Sequence, residues 1–148
     1  MKPITLFLYD LTLEEAQELI RNGADVNEQK PSGKTPLFFV INVEISQLLI
    51  DHGADLNIRT NQGETIIDRC EYIKGQRRIS FYIENGAIAG GIESYKKLRD
   101  LFSQEQQKAF DTFMSITNND NDFYQMCLAY QNDIKNHVKI EIKDMDLQ

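Results

Sequence analysis

Apolar residues in about the first 90 positions recur at helical spacing, and the recurrence itself repeats along the chain. Leu19 and Ile20 close one amphipathic stretch, and Leu49 and Ile50 close another of the same form. In both places the run Gly-Ala-Asp follows after two further residues, and the two copies stand 30 residues apart. A degenerate third copy occupies residues 81–87. Repetition at this period predicts stacked units of secondary structure, none of which can bury its apolar face alone.

The residues that repeat suit a pair of helices joined by turns. A glycine just beyond the apolar pair can take a left-handed conformation, which lets the chain leave a helix without a Cβ clash. The Asp and Asn that follow favour a turn, because their side chains bond to nearby backbone. Thr35 and Pro36 then suit a helix start, with the hydroxyl as cap and proline in the first turn.

Each of three units is therefore predicted to contain an inner and an outer helix. The predicted inner helices are a short one packed by Leu6, Phe7 and Tyr9, then 37–41 and 66–73. The predicted outer helices are one that ends at Arg21, then 43–51 and 77–84. Thr12 and Glu15 form a capping-box pattern for the first outer helix, and Asn42 is the predicted cap of the second.

These runs, above all Gly-Ala-Asp-Val-Asn, Gly-Lys-Thr-Pro-Leu at 33–37 and Gly-Ala-Asp-Leu-Asn, resemble the ankyrin repeat. The resemblance implies an all-α solenoid of about three helix-turn-helix units with short finger loops over residues 1–91. It also implies that partners bind at the finger tips and on the face of the inner helices. The residues at those places are Glu28, Lys30, Phe38, Asn42, Arg59, Asn61, Asp68, Arg69 and Tyr72.

The spacing departs from regularity inside the units. Thr5, Thr35 and Thr65 occupy equivalent positions, and the distance from each to the exit glycine is 18, 18 and 21 residues. Since a helical turn takes 3.6 residues, the first two units lack about one turn. We therefore expect short inner helices and a groove of unusual shape.

Residues 92–148 do not repeat the pattern, and they are predicted to form a helical extension that packs on the last unit. The apolar residues predict one helix around 95–102, a second opened by a capping box of Ser103 and Gln106, and a third around 123–130. Residues 118–122 are polar and are interpreted as a turn and cap. The alternation of apolar and charged residues over 138–143 is consistent with a short strand or an extended tail. The extension either caps the array or binds a partner.

The net charge of −7 makes nucleic acid an unsuitable partner, because phosphates repel carboxylates. Residues 1–57 hold nine acidic side chains against four Lys or Arg. The excess acid either keeps solvated helix faces in water or attracts a partner with a basic surface.

The residue types that carry catalysis are sparse and scattered. His52 and His137 stand far apart, and Cys70 and Cys127 lack a neighbouring histidine in sequence. Arg77 and Arg78 are interpreted as a solvated loop or helix start. No catalytic residue, cofactor or metal is predicted. The two isolated cysteines suggest a reducing compartment, and no apolar run approaches membrane-spanning length, so we expect a cytoplasmic protein without a membrane partner.

Three functions fit these observations. The first is a non-enzymatic protein-binding module, and specifically a stoichiometric inhibitor such as a bacterial immunity protein that neutralises a toxin. The second is a general ankyrin adaptor or scaffold within a larger assembly. The third is a small effector or enzyme whose activity lies in residues 92–148.

Overall fold

The computed structural model describes residues 5–7, 10–71 and 76–146. Within these ranges, the surroundings of the side chains are described as far as residue 135, except at residues 71, 76 and 77. Every regular element in those ranges is helical, which confirms the all-α prediction. The elements are α1 (Leu13–Arg21), a 3₁₀ turn (Pro36–Phe39), α2 (Val43–Asp51), α3 (Ile66–Glu71), α4 (Gln76–Glu84), α5 (Ile92–Leu98), a second 3₁₀ turn (Arg99–Leu101), α6 (Gln104–Ile116) and α7 (Asp120–Asp146).

The predicted caps open three of these helices. The Thr12 hydroxyl accepts a hydrogen bond from the Glu15 N–H at 3.1 Å, and the Glu15 carboxylate accepts from the Thr12 N–H at 3.4 Å. Ser103 and Gln106 make the same reciprocal pair at the start of α6, at 3.2 and 3.0 Å. Asn42 caps α2 through its side-chain oxygen, which accepts from two N–H groups of the first turn. Each cap satisfies a backbone donor that the helix itself leaves unpaired.

The three outer helices α1, α2 and α4 end in the same way. The glycine after each helix has a positive φ, of 96° at Gly23, 93° at Gly53 and 101° at Gly86. The residue after the glycine donates its N–H to a carbonyl five residues back, at 2.9 Å in all three units. This closing bond is the one found where a left-handed glycine ends a helix. The degenerate copy at 81–87 therefore makes the same exit as the other two.

Asparagine side chains join consecutive units beside these exits. Asn27 donates to the Gly53 carbonyl at 3.0 Å and accepts from the Asp55 N–H at 2.7 Å. Thirty residues on, Asn57 donates to the Gly86 carbonyl at 3.0 Å and accepts from the Ile88 N–H at 2.9 Å. The repeat in sequence is thus a repeat in hydrogen bonding between neighbouring units.

The inner element of unit two is short, as the spacing predicts, and shorter than the helix predicted there. In unit two a single 3₁₀ turn, Pro36–Phe39, replaces the predicted helix 37–41, and the Thr35 hydroxyl makes no capping bond. In unit one residues 5–7 are not helical, while Tyr9 lies outside the described residues. In unit three α3 and α4 agree with the predicted helices, except that residues 72 and 73 lie outside the described residues and α4 begins one residue early. The outer helices α1, α2 and α4 are each nine residues long, so the turn missing from the first two units is missing between the threonine and the outer helix.

The structure also tests the interpretations of residues 138–143 and of Arg77 and Arg78, and the first of these was wrong. Alternation over 138–143 predicted a strand or an extended tail, but α7 continues as a helix to Asp146. Three alternations carry little weight beside the Lys and Glu residues among them, which favour helix. Arg77 and Arg78 lie in the first turn of α4, which confirms the helix-start interpretation of this pair. Arg78 is half-buried, and its Nη2 donates to the Val40 carbonyl at 2.7 Å.

An aromatic cluster packs α5, α6 and α7 together. The fully buried ring of Tyr95 lies 5.4 Å from the Phe110 ring and 5.6 Å from the Phe123 ring, centroid to centroid. Phe110 also contacts Phe113 and Tyr130, at 6.4 and 5.8 Å. Tyr95, Phe110 and Phe123 belong to a hydrophobic core that also contains the apolar residues of the repeats, and Phe113 and Tyr130 pack against it.

Polar contacts join the same helices to one another and to the repeat units. The Tyr124 hydroxyl donates to the Asn57 carbonyl, and the Asp120 carboxylate accepts from the Ile92 N–H at 3.0 Å. The buried Asp68 carboxylate of α3 accepts from the Gly90 N–H at 2.9 Å. It also accepts from the Ser94 hydroxyl of α5. Residues 92–135 thus lie against the repeat units through both apolar and polar contacts.

Candidate protein-binding surface

The two finger loops have the same backbone geometry and are joined to each other. Thr60 donates its N–H to the Glu64 carbonyl at 2.8 Å, as Lys30 does to the Lys34 carbonyl at 3.0 Å. Asn61 then donates its backbone N–H to the first finger at 2.9 Å and its side-chain amide to the Pro31 carbonyl at 2.7 Å. Asn61 is exposed, as predicted for a finger tip, but its amide group also holds the fingers side by side.

Glu28 and Arg59, also predicted as tip residues, have partners within the chain. The Glu28 carboxylate accepts from the Thr5 hydroxyl at 2.9 Å. The Arg59 guanidinium lies over the Tyr124 ring at 4.7 Å from its centroid and donates to the Asn121 side chain at 3.0 Å. Arg59 therefore joins the second finger to the start of α7.

Lys30 lies between two aromatic rings at the base of the first finger. Its Nζ atom stands 5.0 Å from the centroid of the Phe7 ring and 4.8 Å from that of Phe39. The two rings meet edge to face at 5.6 Å. A cation over a ring at an exposed site gains about 0.5–1 kcal/mol, so the two rings together restrict the position of the ammonium group.

Beside Lys30 opens a groove of about 340 Å³ between units one and two. Its floor contains the buried side chains of Leu6, Val40 and Ile45, and its rim contains Asp10 and Asn42. Phe39 and Ile41 also line the groove, and 44% and 73% of their surface is exposed.

The remaining predicted residues are not all at the surface. Phe38 is 8% exposed and belongs to the core, whereas its neighbour Phe39 faces the groove. Asp68 is also 8% exposed. Burial raises the pKa of its carboxyl, and the hydrogen bonds from Ser94, Thr65 and Gly90 act in the opposite direction. Arg69 is half-buried on α3, and Tyr72 lies outside the described residues.

The structure thus brings together Lys30 and Asn42 of the predicted set, and adds Phe7, Phe39 and Ile41. The sequence did contain a signal for these additions. Residues 37–41 are five apolar residues in succession, which is more than a one-turn inner element can bury on one face.

Within the described ranges, no group of three His, Cys, Asp or Glu side chains is placed to hold a metal ion. Cys70 and Cys127 are buried free thiols, and burial raises the pKa of Cys127 to about 12. A thiol with a raised pKa is a poor nucleophile near neutral pH. None of the described helices is long and apolar enough to cross a membrane.

Comparison with protein families gives a match at residues 32–61 to the ankyrin repeat. The matched segment begins in the first finger, contains α2 and ends in the second finger. A search of curated proteins found no match. Ankyrin repeats are generally non-catalytic modules of protein–protein interaction, so the match supports a protein-binding role. Together with the recurring helix exits, fingers and asparagine bridges, it supports an ankyrin-repeat protein, in which one repeat, residues 32–61, is matched directly.

Proposed function

We propose that the protein acts by binding another protein, as a stoichiometric inhibitor such as a bacterial immunity protein that neutralises a toxin. The observation that carries the proposal is the concentration of exposed apolar side chains on the repeats. Five large hydrophobic side chains are exposed among those described, and three of them, Phe39, Ile41 and Val43, fall within five residues. Scattered apolar residues are normal at a surface, whereas a concentrated set is typical of a binding site.

The charge of the repeats favours a basic partner. Glu14 of α1 and Glu44 of α2 are exposed at equivalent positions of adjacent units, and the exposed Asp25 and Asp55 are a second such pair. Stacking therefore aligns like charges along one side of the array. Aligned charges raise the potential at a surface and increase the association rate of a partner of opposite sign.

In this proposal residues 1–91 form the binding array and residues 92–148 cap it. The contacts of Arg59 and Tyr124 support a capping role, because they connect the second finger and the Asn57 carbonyl to α7. The buried free thiols Cys70 and Cys127 fit a cytoplasmic location. A general ankyrin adaptor would use the same groove, but the acid pairs favour a dedicated basic partner.

The test begins with affinity capture from the native extract and mass spectrometry, followed by surface-plasmon kinetics with the purified partner at two ionic strengths. The variant Glu14→Gln with Glu44→Gln removes one acid from each unit. Its matched control, Asp100→Asn with Asp133→Asn, removes the same charge from the exposed surface of the C-terminal helices. Glu15 is left unchanged, because its carboxylate completes the cap of α1.

We expect the wild-type association rate to fall steeply with salt and the repeat variant to associate several-fold more slowly at low salt. The control should change association much less, because its charges lie away from the repeats. Association that ignores both salt and the repeat charges would remove the case for a basic partner. If the protein acts on its partner and releases it, so that no one-to-one complex persists, it is not a stoichiometric inhibitor.

A further inference from the structure

The groove between units one and two has a chemistry that differs from the rest of this acidic surface. We propose that it binds a segment of the partner protein in which an aliphatic or aromatic side chain stands next to a carboxylate. This inference rests on the proposed function, since it names the part of the partner that the repeats hold.

The apolar part of the ligand follows from the walls of the groove. Leu6 and Ile45, at 2% and 3% exposure, form a floor that water barely reaches, and the exposed Ile41 stands at the rim. The volume of about 340 Å³ lies at the small end of the range for ligand pockets, about 300–1,000 Å³. A groove of this size holds a few side chains of a partner rather than a whole element.

The carboxylate follows from Lys30. An ammonium group has three hydrogen-bond donors and no acceptor, and this one is oriented by two ring faces before any partner arrives. A donor that is already ordered loses less entropy when it binds. Asn42 lines the same groove and uses its side-chain oxygen for the helix cap, which leaves its amide donors for a ligand.

Asp10 gives the site a direction. It lines the same groove and is exposed, with a left-handed φ of 53° that is uncommon for a residue other than glycine. Its negative charge repels a ligand carboxylate, whereas Lys30 attracts one. The bound segment therefore has its carboxylate beside Lys30. The reverse orientation would place that carboxylate beside Asp10 and away from Lys30, so both charges disfavour it.

An aromatic anion serves as a probe before the partner is known. The dye 1-anilino-8-naphthalenesulfonate combines fused rings with one negative charge, and N-phenyl-1-naphthylamine is its uncharged counterpart. We expect the wild-type protein to bind the anionic dye with the higher affinity. Lys30→Gln should weaken the anionic dye about fivefold or more and change the neutral dye less than twofold. Ile41→Ser should weaken both.

Two controls locate the binding. Ile116→Ser removes an apolar side chain of similar exposure, 66%, on α6, and Lys34→Gln removes a lysine from the same finger. Neither should change dye affinity by more than twofold. Methyl chemical shifts of Ile41 and Ile45, followed during the titration, should move while that of Ile116 stays in place.

Several results would overturn the inference. Equal losses of both dyes with Lys30→Gln would show that charge is not selected. Loss of binding with Ile116→Ser, or shifts confined to α6, would place the site elsewhere. A wild-type dimer in light scattering that Ile41→Ser converts to a monomer would make a second copy of this chain the occupant.

The captured partner separates this inference from the function on which it rests. If the Lys30→Gln and Ile41→Ser variants bind the partner with unchanged dissociation rates while the association rate still depends on salt, the inhibitor proposal stands and the groove proposal fails. If both variants dissociate at least fivefold faster, the groove is the docking site. If the groove selects the anionic dye but the captured protein forms no one-to-one complex, the proposed function fails and the groove chemistry stands.

Discussion

The asparagine bridges allow a comparison in which two variants lose the same bonds in different surroundings. Asn57→Ala removes the acceptor for the Ile88 N–H and the donor for the Gly86 carbonyl. Asn27→Ala removes the equivalent pair one unit earlier, at the exposed residues Gly53 and Asp55. The Tyr124 hydroxyl bonds to the backbone carbonyl of Asn57, which the substitution retains, so the effect of Asn57→Ala is confined to the side chain.

The magnitudes follow from burial. Ile88 is fully buried, so its N–H would be left without water, at a cost of about 1–3 kcal/mol. Gly86 is half-buried, and the lost bond to its carbonyl adds about 0.5–1.5 kcal/mol. We therefore expect Asn57→Ala to lower the free energy of unfolding by about 1.5–4.5 kcal/mol. Water can replace the side chain of Asn27, and that variant should lose about 1 kcal/mol.

Urea unfolding followed by circular dichroism at 222 nm measures both values. With a slope of about 2 kcal/mol per molar urea, the Asn57→Ala midpoint should fall by about 0.8–2.2 M and the Asn27→Ala midpoint by about 0.5 M. The slope itself should not change, because neither variant alters the core that unfolds. Equal midpoint shifts would contradict the assignment of the cost to burial. A shift below about 0.3 M for Asn57→Ala would mean that this bridge does not hold units two and three together.

Three further predictions concern the backbone, an ion pair and the C-terminal helices. Gly53→Val should lower the free energy of unfolding by about 1–3 kcal/mol, and the positive φ is the whole cause, because a Cβ at Gly53 meets nothing within 4 Å. In the same urea titrations Gly33→Ala should cost more than Gly53→Ala, because a Cβ at Gly33 also stands 3.1 Å from the backbone of the second finger. The Arg99 guanidinium donates to both carboxylate oxygens of Asp111 and holds the pKa of that carboxyl below its usual 3.8. This pair therefore stabilises the fold above pH 3.8, and the stabilisation is lost as the pH falls below that value. Asp111→Asn should flatten the loss of stability in acid titrations, and an unchanged acid transition would show that the pair does not contribute to stability. Deleting 92–148 should expose apolar surface and cause aggregation in size-exclusion chromatography, and a monomer with an unchanged melting temperature would make that segment an independent module.

Features that depend on a few neighbouring residues could be predicted from the sequence. The caps at Thr12, Asn42 and Ser103 bind backbone groups two or three residues away, and the exits depend on a glycine and its neighbours. Such contacts form whatever the rest of the chain does, so the residue types predict them. The same holds for the recurrence of the exits, because each exit is formed by residues of its own unit.

The fate of individual site residues could not be predicted in this way. Arg59 was expected to meet a partner protein, but its side chain meets Asn121, 62 positions away in the chain. Phe38 and Phe39 are identical residue types, and which of them faces the core depends on the exact length of the inner element. Sequence period gives the face of a regular helix, but it gives no face for a single 3₁₀ turn.

The missing turn of units one and two connects the fold to the proposed function. In unit three α3 follows Thr65, whereas in unit two the inner element ends at Phe39 and the chain continues in an extended conformation at Val40. The groove opens beside this extended segment, where 73% of the surface of Ile41 is exposed. An exposed isoleucine contributes little to stability, so Ile41→Ser should leave the melting temperature nearly unchanged. If that variant nevertheless weakens binding, the apolar rim serves a partner rather than the fold. Functional sites are where a sequence is expected to depart from a pattern that is otherwise consistent.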